Sequence, residues 1–176
     1  MIDTESVTVG RQAGTWLGRV RRNHGLEHAT LHVLGARLPH QGFAGHSDWR
    51  GFWIIGNLPT ETLVEAVEEA LARLRNGEAG LAIHPNCGTN FVAAGVLAGT
   101  AAGLVMLGSR RRTVDVIDRL PVAITLATLA LVAAQPLGLA LQQHATVSGE
   151  PGDLRVTAVA VHRKGGLTIH RISTTG

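Results

Sequence analysis

Two stretches of the chain, residues 89–108 and 120–141, contain no Asp, Glu, Lys or Arg. Each supplies the ~20 apolar residues needed to cross ~30 Å of hydrocarbon. They predict two membrane spans joined by residues 109–119. Gly95, Gly99 and Gly103 recur every fourth residue in the first stretch, beside Ala94, Ala98 and Ala102. A helix face without bulk permits close approach of another helix. The second span, with Ala123, Ala127, Ala130 and Ala134, is the nearest partner, and a homodimer through Gly95, Gly99 and Gly103 has the same sequence signature. Pro136 is expected to kink the second helix.

Ahead of the spans, residues 14–38 have a different pattern. Leu17, Val20, His24, Glu27, His28 and Leu31 fall on one stripe at helical spacing, and Leu26 and Val33 lie opposite. A helix apolar on two sides is sandwiched, so the polar trio within its stripe needs partners. Turn-rich residues follow to Arg50, and 51–56 (GFWIIG) read as a short strand. Thr60 is placed as the cap of a helix with Glu61 and Glu65 near its start, Arg73 and Arg75 near its end, and Asn76-Gly77 as its stop. Beyond the spans, 154–162 and 167–173 are β-rich and flank Lys164-Gly165-Gly166, the pattern of a hairpin. Two spans return the chain to its starting side, so this hairpin is expected to join strand 51–56 in one sheet.

The expected fold class is therefore an α+β membrane protein: a two-span helical hairpin with a small membrane-adjacent α+β part. Residues 1–88 form that part with its H-x-x-E-H helix, 89–142 the two spans, and 143–176 a hairpin packing back on the N-terminal part. Of the 176 residues, 45% are hydrophobic and only 3% aromatic, with 22 Gly. Apolar mass thus comes from small aliphatic residues, as in close-packed membrane helices. The net charge of +3 comes from scattered Lys and Arg without a basic stripe, so no nucleic-acid partner is expected and membrane lipid is. The single Cys87 excludes an intramolecular disulfide. The polar start MIDTESVTVG lacks the features of a cleaved secretory signal.

His24-Gly25-Leu26-Glu27-His28 carries the chemistry. Histidines four apart on a helix lie one above the other and can share a divalent ion. In the inverted zincin arrangement H-x-x-E-H the two His bind Zn²⁺ and the Glu serves as general base, here Glu27. The bland alternative is a buried polar cluster fixing helix packing. His32 continues the series but lies about 12 Å from His24 along the axis, too far for one ion. A further ligand is sought in His84-Pro85-Asn86-Cys87-Gly88-Thr89-Asn90, where His84 and Cys87 are the candidates. Thr89 or Asn90 is expected to cap the following helix, whose N-terminus favours a thiolate at Cys87. Asp48 is a further candidate ligand or ligand orienter on a loop, and His40, His144, His162 and His170 are assigned to the surface or to strands.

The motifs H-G-x-E-H-A-T (His24 to Thr30) and H-P-x-C-G-T (His84 to Thr89), followed directly by a span, resemble those of the bacterial YqhQ-like membrane proteins of unknown function. The resemblance covers about a quarter of the chain. It implies that His24, Glu27, His28, His84 and Cys87 belong to one site, in proteins described as metal-dependent enzymes, and it assigns no reaction.

The leading expectation is a membrane-embedded zinc-dependent hydrolase, with peptidases among the candidates: His24, His28, His84 and Cys87 supply metal ligands and Glu27 is catalytic. The alternative is a non-catalytic metal-binding or metal-handling module whose four protein ligands close the site. A thiol enzyme with Cys87 as nucleophile and His84 as base ranks last, since no third orienting group is visible. A prokaryotic inner membrane is the expected location. Its orientation is left open: Arg110, Arg111, Arg112 and Arg119 argue for a cytoplasmic connection, whereas the long N-terminal segment argues against translocation.

Overall fold

The computed structural model describes residues 15–107, 113–164 and 167–176. The chain is a mixed α+β protein. Its elements run α1 (Trp16–Arg37), β1 (Ala44–Asp48), β2 (Gly51–Ile55), α2 (Thr60–Arg75), a 3₁₀ turn (Ala79–Ala82), α3 (Gly88–Met106), α4 (Thr113–Leu141), β3 (Arg155–Lys164) and β4 (Leu167–Thr175). A wide i→i+5 turn, Gln142–Thr146, ends α4.

The strands form one antiparallel sheet in the order β1-β2-β4-β3. The C-terminal hairpin joins the 51–56 strand, with Phe52 opposite Ile172 and Ile54 opposite His170. The turn glycines Gly165 and Gly166 lie outside the described residues, as do Arg110, Arg111 and Arg112.

Alternation along β2 sends Phe52 and Ile54 into a core with Ile172, Leu63 and Val67 of α2, and Leu26, Ala29, Val33 and Leu34 of α1. The second apolar side expected of α1 is thus its packed side. Shortening Leu26, which is fully buried, to Ala is worth about 2–5 kcal/mol at such a position. The stripe bearing His24, Glu27, His28 and Leu31 looks the other way, into a cavity. Thr15 caps α1 by accepting a hydrogen bond from the Gly18 N–H at 3.2 Å.

Helices α3 and α4 are long and apolar enough to cross a membrane, and they stand apart from this core: α3 buries only Ala93, and 17% of the apolar window in α4 is buried. A core helix of a globular protein would be mostly covered. Here Phe91, Val96, Leu104, Ile124, Leu129 and Val132 are exposed. The two helices pack on each other through small residues, with Ala93, Ala123 and Ala134 buried. Gly138 admits the Asn90 side chain where a Cβ would collide with it.

Several expectations need correction. Residues 44–48, read as turn-rich, form β1: the sequence AGHSD has little strand propensity, and its pairing with β2 decides the matter. Gly95, Gly99 and Gly103 do not face α4; a Cβ added at any of them meets nothing within 4 Å. The 109–119 connection is shorter than expected, because α4 begins at Thr113 and the Arg119 guanidinium already donates to the Val105 carbonyl at 2.9 Å. Both Pro121 and Pro136 lie inside α4. Thr60 does not cap α2. Pro59 holds the cap position without a side-chain bond, and the Thr60 hydroxyl meets His170 Nε2 at 3.2 Å.

Candidate metal centre

The Glu78–Thr89 segment crosses back over α1 and brings Cys87 against the histidine stripe. The 3₁₀ turn Ala79–Ala82 packs beside α1 at a point where α1 carries Gly25, whose added Cβ would strike the Ser148 carbonyl. Close packing on both flanks sets the orientation of the two imidazoles. His24 Nδ1–H donates to the Thr146 carbonyl at 3.0 Å, and His28 Nδ1–H donates to the Ala82 carbonyl at 2.6 Å. A neutral imidazole that donates from Nδ1 keeps its lone pair on Nε2. Both Nε2 atoms are thereby prepared as ligands.

Ligand atoms of His24, His28 and Cys87 all lie within 4.8 Å of one another. His24 Nε2 is 3.4 Å from Cys87 Sγ. Nitrogen and sulfur ligands of one tetrahedral zinc stand about 3.3–3.6 Å apart, so this pair already has the spacing and the trio needs only a small contraction. The three residues form a possible metal-binding cluster.

Cys87 is itself the N-cap of α3, replacing the expected Thr89 or Asn90. Its sulfur accepts from the Thr89 N–H at 3.4 Å. Burial alone pushes the thiol up; when the His28 ring is protonated, its hydrogen bond and charge, with the Thr89 donors, outweigh burial and leave the group below its ordinary value.

Glu27 is almost fully buried, and its Oε2 has no hydrogen-bond partner among the described residues. Burial raises its carboxyl to about 7, against the opposing pull of His24 and a hydrogen bond from Ser47, and with a smaller push from Cys87. Its position depends on Gly45 of β1, where a Cβ would overlap the carboxylate. Sequence reasoning missed Gly45 because a glycine that makes room for a distant side chain has no local signature.

His84 lies outside the three-residue cluster. Its ring packs against His28 at 5.7 Å and His32 at 5.0 Å between centroids. Its Nδ1 accepts the Asn86 N–H at 3.2 Å, so a neutral ring carries its proton on Nε2. Burial, with a contribution from His32, holds His84 below the usual histidine value, which keeps it neutral near pH 7. His32 Nε2–H is used on the Ile83 carbonyl at 2.9 Å.

Gln142, also missed, fastens this loop to the end of α4. Fully buried, it accepts the His84 N–H at 2.9 Å and donates to the His84 carbonyl at 3.0 Å and to Asn90 Oδ1 at 2.7 Å. Asp48 is no part of the site: it belongs to β1 and is held by Arg171 at 2.9 Å. His170, assigned to surface or strand, is a fully buried strand residue.

His24, Glu27, His28, His84 and Cys87 share the walls of one cavity of about 430 Å³, closed on its far side by residues 44–47 of β1. A family model described as a domain of unknown function, DUF6391, matches residues 19–159. The chain belongs to the DUF6391 family. The DUF6391 match encloses every residue of the cavity and both apolar helices. An uncharacterized protein of Picosynechococcus sp. is 37% identical over 139 residues, which cover 73% of this chain and 66% of the relative. The chain thus spans just under two thirds of that relative's length. No solved structure matches.

Proposed function

We propose that this DUF6391 protein is an integral protein of a prokaryotic inner membrane and a zinc-dependent hydrolase, with α3 and α4 in the bilayer and the cavity beside their roots. The kinship to YqhQ-like membrane proteins suggested by its two motifs belongs to the same reading. One observation carries the catalytic part: His24, His28 and Cys87 share a cavity with the buried Glu27 carboxylate, which lies on the helix of the two histidines and whose Oε2 has no partner among the described residues. The exposed apolar faces of α3 and α4 support the membrane part, because water would have to solvate both. The open Gly95, Gly99 and Gly103 face is left to lipid or to a second copy of the chain.

His24, His28 and Cys87 would hold the ion, and two imidazoles with one thiolate suit zinc. Bound there, it would supply Lewis-acid polarisation of a substrate carbonyl and acidify water. The remaining work falls to the chain. Glu27, poised near neutrality, accepts the proton of the attacking water at its free Oε2 and returns it to the leaving group. His84 Nε2–H is a donor available to developing negative charge.

A non-catalytic module would need a fourth protein ligand, and His84 already spends Nδ1 on Asn86. Elemental analysis and cobalt substitution test the choice. We expect one ion per chain, a cobalt–thiolate absorption that is lost in Cys87→Ala, and a spectrum that responds to azide because one position is open. A cobalt spectrum indifferent to azide would establish the closed module instead.

A further inference from the structure

The cavity is closed by β1, an edge strand of the sheet among the described residues. Among the described residues no strand lies on the outer side of β1. Which backbone groups face that side follows from the register. The Gly56 N–H donates to the Thr168 carbonyl at 3.0 Å, continuing the ladder in which Ile54 opposes His170. Even-numbered residues of β2 therefore bond to β4, and odd-numbered ones to β1. Their β1 partners are Asp48, His46 and Ala44. The N–H and C=O groups of Gly45 and Ser47 accordingly point off the free edge, and both residues line the cavity that holds Glu27, His24, His28 and Cys87.

We propose that β1 receives an extended polypeptide as a fifth strand, so that the substrate of this centre is a peptide segment in β conformation. The inference rests on the hydrolase reading for its chemistry, though not for its binding. An added strand lies about 4.8 Å from β1, which runs it between β1 and the Cys87–Thr89 turn, over the α1 stripe. Gly45 and Ser47 then satisfy backbone groups of the guest, and its side chains alternate between the cavity and the outside.

A second apolar groove of about 470 Å³, between Val92, Val96, Leu137 and Leu141, adjoins the cavity at Thr89. It suits an acyl chain. An acyl chain, however, offers neither donor nor acceptor to the edge groups of β1, whereas a peptide offers both in register and can still lay an apolar side chain toward the groove.

The test uses the full chain in detergent micelles, with and without added zinc. The probe is a fluorescein-labelled hexapeptide of alternating Val and Thr, together with the same peptide N-methylated at every second amide. Binding is read by anisotropy, and metal content separately. We expect N-methylation to weaken binding on the order of tenfold, the loss of one or two net hydrogen bonds. Ser47→Pro removes an N–H that belongs to no ladder bond and is tolerated on an edge strand; it should weaken binding by a similar factor. Ser47→Ala, which keeps the N–H, should not. No peptide binding, equal binding of both peptides, or a Ser47→Ala loss as large as that of Ser47→Pro would overturn the proposal. So would hydrolysis of p-nitrophenyl laurate without peptide binding, which would assign an acyl substrate, or a dimer that Ser47→Pro dissolves. Peptide binding in a protein that takes up no zinc would sink the hydrolase reading and leave the docking strand standing.

Discussion

His24 Nε2 and Cys87 Sγ face each other at 3.4 Å although 63 residues separate them in the chain. The contact joins a motif on one helix to the cap of another, and it makes the cluster a tertiary object that either residue alone can destroy. His24→Ala or Cys87→Ala should abolish bound zinc, from one ion per chain to none by elemental analysis. His84→Ala should retain it, because His84 lies outside the trio; loss of metal in that variant would move His84 into the ligand set.

Glu27→Gln should leave zinc content unchanged while lowering hydrolysis of labelled casein by on the order of 10²–10⁴, the usual worth of a general base. Undiminished turnover in the zinc-loaded variant would remove Glu27 from the chemistry.

Gly45→Ala places a methyl where the Glu27 carboxylate lies. Overpacking of this kind costs about 1–3 kcal/mol, and relief requires Glu27 to move. A fall in thermal midpoint together with lost activity is expected, whereas Gly35→Ala, where a Cβ meets nothing within 4 Å, should raise the midpoint slightly or leave it unchanged.

Gln142→Ala strands the His84 backbone and Asn90 Oδ1 inside the protein. Loss of a buried partner costs about 1–3 kcal/mol. The His84–Asn90 loop should then exchange its amide hydrogens faster than the 3₁₀ turn beside it, read by hydrogen–deuterium exchange.

His170 is held below its ordinary value of 6.5, by burial first and then by Arg163. Below that pH the unfolded chain gains a proton that the fold resists. Stability is therefore fully present above pH 6.5 and is lost as pH falls from there toward the folded value. Glu27, raised to about 7, and His84 titrate in the same range, so the His170 share is read as a difference: between pH 8 and pH 5.5 the urea midpoint of His170→Gln should fall less, or rise more, than that of the unaltered protein. Identical pH profiles of the two proteins would remove His170 from the acid sensitivity.

Much of this was legible beforehand. Helix α1, the two apolar helices and the final hairpin carry their periodicity in the residues themselves, and the His24, Glu27 and His28 spacing is a property of one helix. What escaped was set by neighbours. AGHSD becomes β1 only because β2 lies beside it. Gly45 and Gly138 are small because Glu27 and Asn90 arrive there from elsewhere, and Gln142 reads as the polar end of a span until its contacts with His84 are seen. The glycine stripe misled for the same reason: it states that a face is smooth and leaves unsaid which way the face is turned.

The carbonyl that orients His24 belongs to Thr146, far along the chain from the helix it serves. During synthesis α1 leaves the ribosome early, and whereas His28 finds the Ala82 carbonyl before either apolar helix is made, the His24 imidazole stays free to rotate until both helices and the turn after them have been made. A cation bound there would therefore be taken up only at the closing stage of biogenesis. A nascent chain arrested before Thr146 would display an intact H-x-x-E-H helix and yet possess no centre.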